Sequence, residues 1–250
     1  MFTQIKTDQE IENMRVGGQM LATVLRVTAE RVVPGITTKE LSDFAENELK
    51  KLGGTPAFLG YHGFPAGLCV SVNNEVVHGI PGKKQIADGD VVSLDFGVLY
   101  KGLITDSALT VIVGEVPQEV ADLVHKTEQS MFAGIDVLHD GVKVGDIGAA
   151  VQKTLEQGGY GIVRDLVGHG VGHELHEEPN IPNVGIVGQG PILRAGMTIA
   201  IEPMATLGTH RVYVDSDNWT IKTEDSSIAA HFEHTVLITD SGFEILTDKQ

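Results

Sequence analysis

The sequence predicts an α+β fold of two pseudo-symmetric halves, antiparallel strands flanked by helices, on three observations. Four stretches carry apolar residues at helical spacing, each ended by Gly or Pro signals. Two runs rich in Val, Ile, Leu and Thr, Asp90–Val98 and Leu103–Val113, read as strands joined by a turn. The pattern also repeats. Ile36, Leu41, Ala45, Leu49 and Gly53 correspond to Val142, Ile147, Val151, Leu155 and Gly159, each 106 residues further on, and Gly35 maps onto Gly141 by the same shift. The strand Gly89 to Asp95 corresponds to Gly196 to Glu202 at a shift of 107, and His78-Gly79-Ile80 resembles His169-Gly170-Val171. Two units are too few for a solenoid. They imply one domain over residues 1–250, with repeats of about 1–113 and 114–250 facing each other and a site where they meet.

The first helix is expected from Asp8 to Arg31, with Ile11, Met14, Leu21, Val24 and Leu25 on one face and Pro34-Gly35 as its stop. The second runs from Thr38 to Leu52, where Thr37 and Glu40 have capping-box spacing and Gly53-Gly54 stands at the C-cap. The third spans Pro117 to His139, and the fourth Gly145 to Gln157 before Gly158-Gly159. A hairpin centred between Tyr100 and Lys101 would set Asp95 directly opposite Asp106, their Cβ atoms about 4.5–5.5 Å apart.

Composition narrows the function. The 250 residues are 42% hydrophobic and 21% charged, as in ordinary globular proteins. A net charge of −16 repels nucleic acid and anionic membrane surfaces, so neither is an expected partner. The single cysteine, Cys69, allows no intramolecular disulfide and fits a reducing compartment. The stretch Met1 to Lys6 lacks the basic and apolar regions of a secretory signal, and no run of 18 apolar residues occurs. A cytoplasmic protein is expected.

Two carboxylates facing each other among apolar strand residues share a proton or hold a cation, unless one Asp sits at a strand end in solvent. Glu202 ends the apolar run Met197–Ile201 at the position symmetric with Asp95, and Glu233 sits in the strand Ala229–Ile238. His169 stands between glycines, where backbone approaches something closely. Four carboxylates with one imidazole suit Mn²⁺, Fe²⁺ or Co²⁺, with Zn²⁺ next, and two such cations about 3.5–4 Å apart would balance the charge.

These residues carry a family resemblance. The segments Tyr61–Pro65, Val77–Pro81, Gly168–Gly172, Leu175–Pro179, Gly196–Thr198, Ile201–Met204 and Phe232–Thr235, in that order, resemble the motifs of type I methionine aminopeptidases of pita-bread fold. The resemblance covers Ile5 to Thr247. It implies a dinuclear centre in which Asp106 and Glu233 bridge two divalent metals, Asp95 chelates one, and His169 with Glu202 holds the other. Its activity would be removal of the initiator methionine from peptides and nascent chains, including those at the ribosome, by a monomer. Glu202 would be the general base, His176 would bond the scissile carbonyl, and His78 would serve the leaving amide or position the substrate. Phe58, Tyr61, Phe64, Cys69, Leu175 and Trp219 would line the methionine pocket, where a thioether meets aromatic rings and sulfur. Phe58 and Leu175 depart from the family's usual smaller residue and Phe. Phe2 as second residue implies that the protein keeps its own Met1. His62, His125, His139, His210 and His231 are taken as structural, and His173 and His234 are left open. Two alternatives are an Xaa-Pro peptidase of the same fold and a binding module without metals. The first expects an additional N-terminal domain; the second sits badly with five intact ligand positions.

Overall fold

The computed structural model describes residues 5–248, so Met1 and Phe2 lie outside the described residues. The first half runs α1 (Asp8–Ala29), α2 (Thr38–Leu52), β1 (Thr55–Pro56), a 3₁₀ turn (Tyr61–Gly63), β2 (Leu68–Val72), β3 (Glu75–Val77), β4 (Val91–Tyr100) and β5 (Leu103–Ile112). Next come α3 (Gln118–Ile135), α4 (Val144–Glu156), β6 (Gly161–Ile162), β7 (Gly168–Gly170), β8 (Glu177–Ile181), β9 (Thr198–Ile201) and β10 (Met204–Thr206). The chain closes with β11 (Val212–Val214), β12 (Ile221–Thr223), β13 (Ala229–His231), β14 (Glu233–Thr239) and β15 (Gly242–Ile245).

Local chemistry sets the helix ends. The Thr7 and Thr37 hydroxyls accept from the amides of Glu10 and Glu40, whose carboxylates take the two cap amides in return. Helix α2 stops at Gly53 in the left-handed region, φ 89°. Helices α1 and α3 end short of Arg31 and His139. There the backbone tightens into three-residue bonds, Arg31 N–H to Thr28 O and Leu138 N–H to Ile135 O, ahead of Pro34-Gly35 and Asp140-Gly141.

The two halves use the same backbone states at corresponding positions. Gly35 and Gly141 have φ of 95° and 91°, and Gly89 and Gly196 of 85° and 86°. Ile86 N–H donates to Ile36 O in one half, and Leu193 N–H to Val142 O in the other. Each half also has its own apolar core. Leu21, Val24, Leu41 and Leu49 of α1 and α2 pack on Val92, Leu94 and Phe96. Leu123, Met131, Ile147 and Val151 of α3 and α4 pack on Ile199, Ile201 and Val236.

A nine-stranded antiparallel sheet has the order β1-β4-β5-β14-β9-β7-β8, with β2 also on β4 and β15 also on β14. Two three-stranded sheets, β13-β10-β6 and β11-β12-β3, flank it. Strand β14 joins the halves, pairing with β5 on one side and β9 on the other.

The β4–β5 hairpin corrects one expectation. It turns at Lys101-Gly102, with φ of 48° and 82°, one residue beyond the expected centre. Two positive-φ residues make a two-residue turn whose twist suits a hairpin. Asp95 therefore pairs with Ala108, and Asp106 with Gly97. The two aspartates are diagonal rather than direct neighbours, still on one face of the sheet.

Candidate metal centre

The sheet lays carboxylates side by side. Asp95 on β4 and Glu233 on β14 both pair with Ala108 on β5, so a single methyl group separates them in that row. Asp106 lies on the same face of β5, two residues along. Glu202 follows directly on β9, and Pro203 ends that strand. His169 is the middle residue of β7, where the register with β8 shifts between Gly168 and Gly170. Such a bulge re-aims a side chain. A side chain at Gly168 would run into the Ala200 carbonyl, so that glycine lets β7 close on β9.

Asp95, Asp106, His169 and Glu233 are buried, and the Glu202 side chain is 14% exposed. Donor atoms of Asp106, His169 and Glu233 all lie within 4.8 Å of one another. One oxygen each of Asp95, Asp106 and Glu233 is buried with no hydrogen-bond partner. Orphaned buried oxygens are costly, and native folds keep few. Burial, with the charge of Asp106 second, pushes the Asp95, Glu202 and Glu233 carboxyls well above the ordinary carboxylate range. Burial raises Asp106 itself to about 7, against the lowering effect of the Ser107 amide.

His169 completes the set. Its Nδ1 lies 2.9 Å from the Gly170 carbonyl, which only accepts, so Nδ1 carries the hydrogen and Nε2 a lone pair. That lone pair faces Glu202 Oε1 at 3.4 Å. Burial, then His176, lowers His169 to about 3, so the imidazole is neutral and the contact is no ion pair. With Glu202 ionised, two acceptors face each other, and a cation between them turns repulsion into ligation. The hydrogen bond that fixes the tautomer is the one a metal-ligating histidine ordinarily makes. Oxygen-rich donors, a neutral imidazole and orphaned oxygens together fit divalent cations.

Phe58, Phe64, Cys69 and Leu175 form a buried apolar cluster, with Tyr61 and Trp219 partly buried against it. The rings of Phe64 and Trp219 meet edge-on, centroids 5.1 Å apart. The departures Phe58 and Leu175 are thus members of one cluster, and Phe58 lies so close to Gly97 that a Cβ there would strike its ring. Burial raises the Cys69 thiol well above its ordinary value, so its sulfur is a neutral wall. This cluster, the five metal-type residues, His78 and His176 line one depression of about 530 Å³, its open mouth included. Every residue that the sequence analysis assigns to the site lines it.

His78 stands at φ 60°, and burial, then His176, lowers it to about 4. One further residue belongs with the site. His231 is buried, neither ring nitrogen has a hydrogen-bond partner, and Nε2 lies 3.7 Å from Glu202 Oε2. The available signal was its position two residues before Glu233 in the expected strand Ala229–Ile238, which the structure divides at Phe232 into β13 and β14. Of the histidines left open, His173 bonds Glu10 at 2.8 Å, and His234 bonds the Thr247 hydroxyl at 2.8 Å behind the sheet.

Comparison with known proteins agrees with this geometry. The sequence model of metallopeptidase family M24 matches residues 12–240. A methionine aminopeptidase of Clostridium perfringens is 46% identical over 243 residues, 97% of this chain and 98% of its own length. The crystal structure of methionine aminopeptidase from Thermotoga maritima superposes with a TM-score of 0.98 at 47% identity, covering 99% of this chain and 100% of that one. The prolidase of Pyrococcus furiosus, at 24% identity and a TM-score of 0.79, shares the fold; 98% of this chain matches 66% of that one.

Proposed function

The chain belongs to metallopeptidase family M24, a pita-bread metal-dependent hydrolase, and from that premise we infer that it removes methionine from the N-terminus of peptides. The observation that carries this is the set of buried carboxylate oxygens without partners, opening into a cavity whose other wall is apolar and aromatic. Asp95, Asp106, His169, Glu202 and Glu233 would hold two divalent cations, Mn²⁺, Fe²⁺ or Co²⁺ ahead of Zn²⁺. When bound, such cations supply an acidified water and polarisation of a carbonyl.

The chain's own residues do the rest. The methionine side chain lies against Phe58, Phe64, Cys69, Leu175 and Trp219, which exclude water from the reacting bond. Glu202, whose side chain is 14% exposed where it meets the cavity, takes up the proton released in the attack. His176 donates to the carbonyl oxygen as it gains charge. His78, neutral by burial, serves the leaving amide. A small second residue is the expected preference. The partners are newly made peptide chains in the cytoplasm, and the protein acts as a monomer. No described helix is long and apolar enough to cross a membrane, and the charge of −16 disfavours nucleic acid.

The test is release of free methionine from Met-Ala-Ser by chelator-treated protein titrated with Mn²⁺, Fe²⁺, Co²⁺ or Zn²⁺, beside the Asp106→Ala variant and an Ala-Pro peptide. Metal-dependent release that the variant lacks is the expected result. Preferential cleavage of Ala-Pro would favour the prolidase reading, and folded protein inert with every metal would leave a binding module.

A further inference from the structure

The Tyr61 side chain has two surfaces in this cavity. Its ring is part of the apolar wall, and its hydroxyl lies 2.8 Å from Nδ1 of His176. Among the described residues that is the only hydrogen bond the hydroxyl makes. His176 is held on two other sides, its ring edge-on to the His169 ring at 4.4 Å and to the Tyr61 ring at 5.4 Å. The turn that carries it is pinned as well. Glu177 accepts from the His173 and Glu174 amides and pairs with the buried Lys6 ammonium at 2.7 Å.

Which group donates decides what His176 can do. Burial, then Glu174 and Asp106, raises the Tyr61 phenol, so it keeps its proton. A neutral imidazole carries one hydrogen, on Nδ1 or on Nε2, and at His176 it is Nδ1 that lies against the Tyr61 hydroxyl. A phenol O–H is the stronger acid of the two groups, and an imidazole nitrogen the stronger base. The bond therefore runs from oxygen to nitrogen. In the reverse direction the phenol proton would need a second acceptor, and Nε2 would present a lone pair to an oxygen gaining negative charge.

We propose that the Tyr61 hydroxyl donates to Nδ1 of His176 and thereby fixes the tautomer in which Nε2 carries the hydrogen that the scissile carbonyl oxygen receives. Tyr61 is thus a positioning residue as well as a wall of the methionine pocket. The consequence for the reaction rests on the role given to His176 above; the tautomer itself does not.

The test combines a spectroscopic readout with kinetics. Nitrogen-15 NMR of histidine-labelled, Zn²⁺-titrated protein distinguishes a protonated from an unprotonated ring nitrogen, and His176→Ala assigns the His176 signals. Protonated Nε2 with unprotonated Nδ1 is expected, with the preference lost in Tyr61→Phe. That variant keeps the ring, so kcat for Met-Ala-Ser should fall roughly tenfold to a hundredfold while KM stays within about twofold. The loss in the Tyr61→Phe, His176→Ala double variant should fall well short of the product of the single losses. Protonated Nδ1 in the wild type overturns the proposal, as does Tyr61→Phe with tautomer and kcat unchanged. Wild-type protein that releases no methionine defeats the functional reading alone, because the nitrogen signals still report the tautomer.

Discussion

At the scale of single residues, the site is a problem in lone pairs. Asp95, Asp106 and Glu233 each bury an oxygen with no donor, and His169 aims an unprotonated nitrogen at Glu202. Glu202 has two separable contacts, Oε1 toward His169 and Oε2 toward His231. Replacing it by Gln preserves shape and removes both the anionic donor and the base. Methionine release by Glu202→Gln should fall roughly 10²- to 10⁴-fold at saturating metal, measured as kcat on Met-Ala-Ser; a loss below tenfold would remove Glu202 from the base role. Asp95, Asp106, Glu202 and Glu233 were legible in the sequence because a carboxylate in an apolar strand needs a partner. His231 was not, because an imidazole in a strand is common as a packed core residue, and only its parity with Glu233 marks it.

At the scale of elements, turns and caps decide what could be read. The bounds of α2 follow from Thr37, Glu40 and Gly53, each a local signal with a local cause. The hairpin register does not, because Lys101 adopts a left-handed conformation that its side chain does not announce. The shift moved Asp95 off Asp106 yet kept both on one face, so the chemistry survived the error. The short strands β7, β9 and β13 carry too few residues for periodicity to show their order in the sheet. The lead into α1 has a task of its own, since Lys6 pairs with Glu177 beneath the turn bearing Leu175 and His176. Lys6→Met removes the ammonium and leaves that nearly buried carboxylate only the His173 and Glu174 amides, at a cost of about 1–3 kcal/mol in urea unfolding. kcat should fall with it; a stability loss under about 1 kcal/mol would show that Glu177 finds another partner.

At the scale of the whole molecule, the cavity sets the response to pH. A carboxyl whose folded value is raised holds its proton more tightly folded than unfolded, so it favours folding at low pH and loses that contribution as pH rises. For Asp106 the window runs from 3.8 to about 7, and Asp95, Glu202 and Glu233 shift in the same direction. The buried His78, His169 and His231 run oppositely. Their contribution is present above 6.5 and is lost as pH falls toward 3 or 4. Above about pH 6.5 only the carboxyl slope remains. Chelator-treated protein should therefore lose Tm between about pH 6.5 and pH 8, and saturating Mn²⁺ should raise Tm more at the higher pH. Equal rises at both would count against these carboxylates as the metal site.

Strand β14 also has a consequence for biosynthesis. It is translated after β4, β5, β7 and β9, the other strands that bear or adjoin the metal-type residues, and it lies between β5 and β9. A copy still being made, past Glu202 but short of Glu233, owns four of the five groups but has no strand to join the β4–β5 pair to the β9–β7 pair. On the proposed function, competence waits for that strand to dock, and unfinished copies should be inert toward the chains around them.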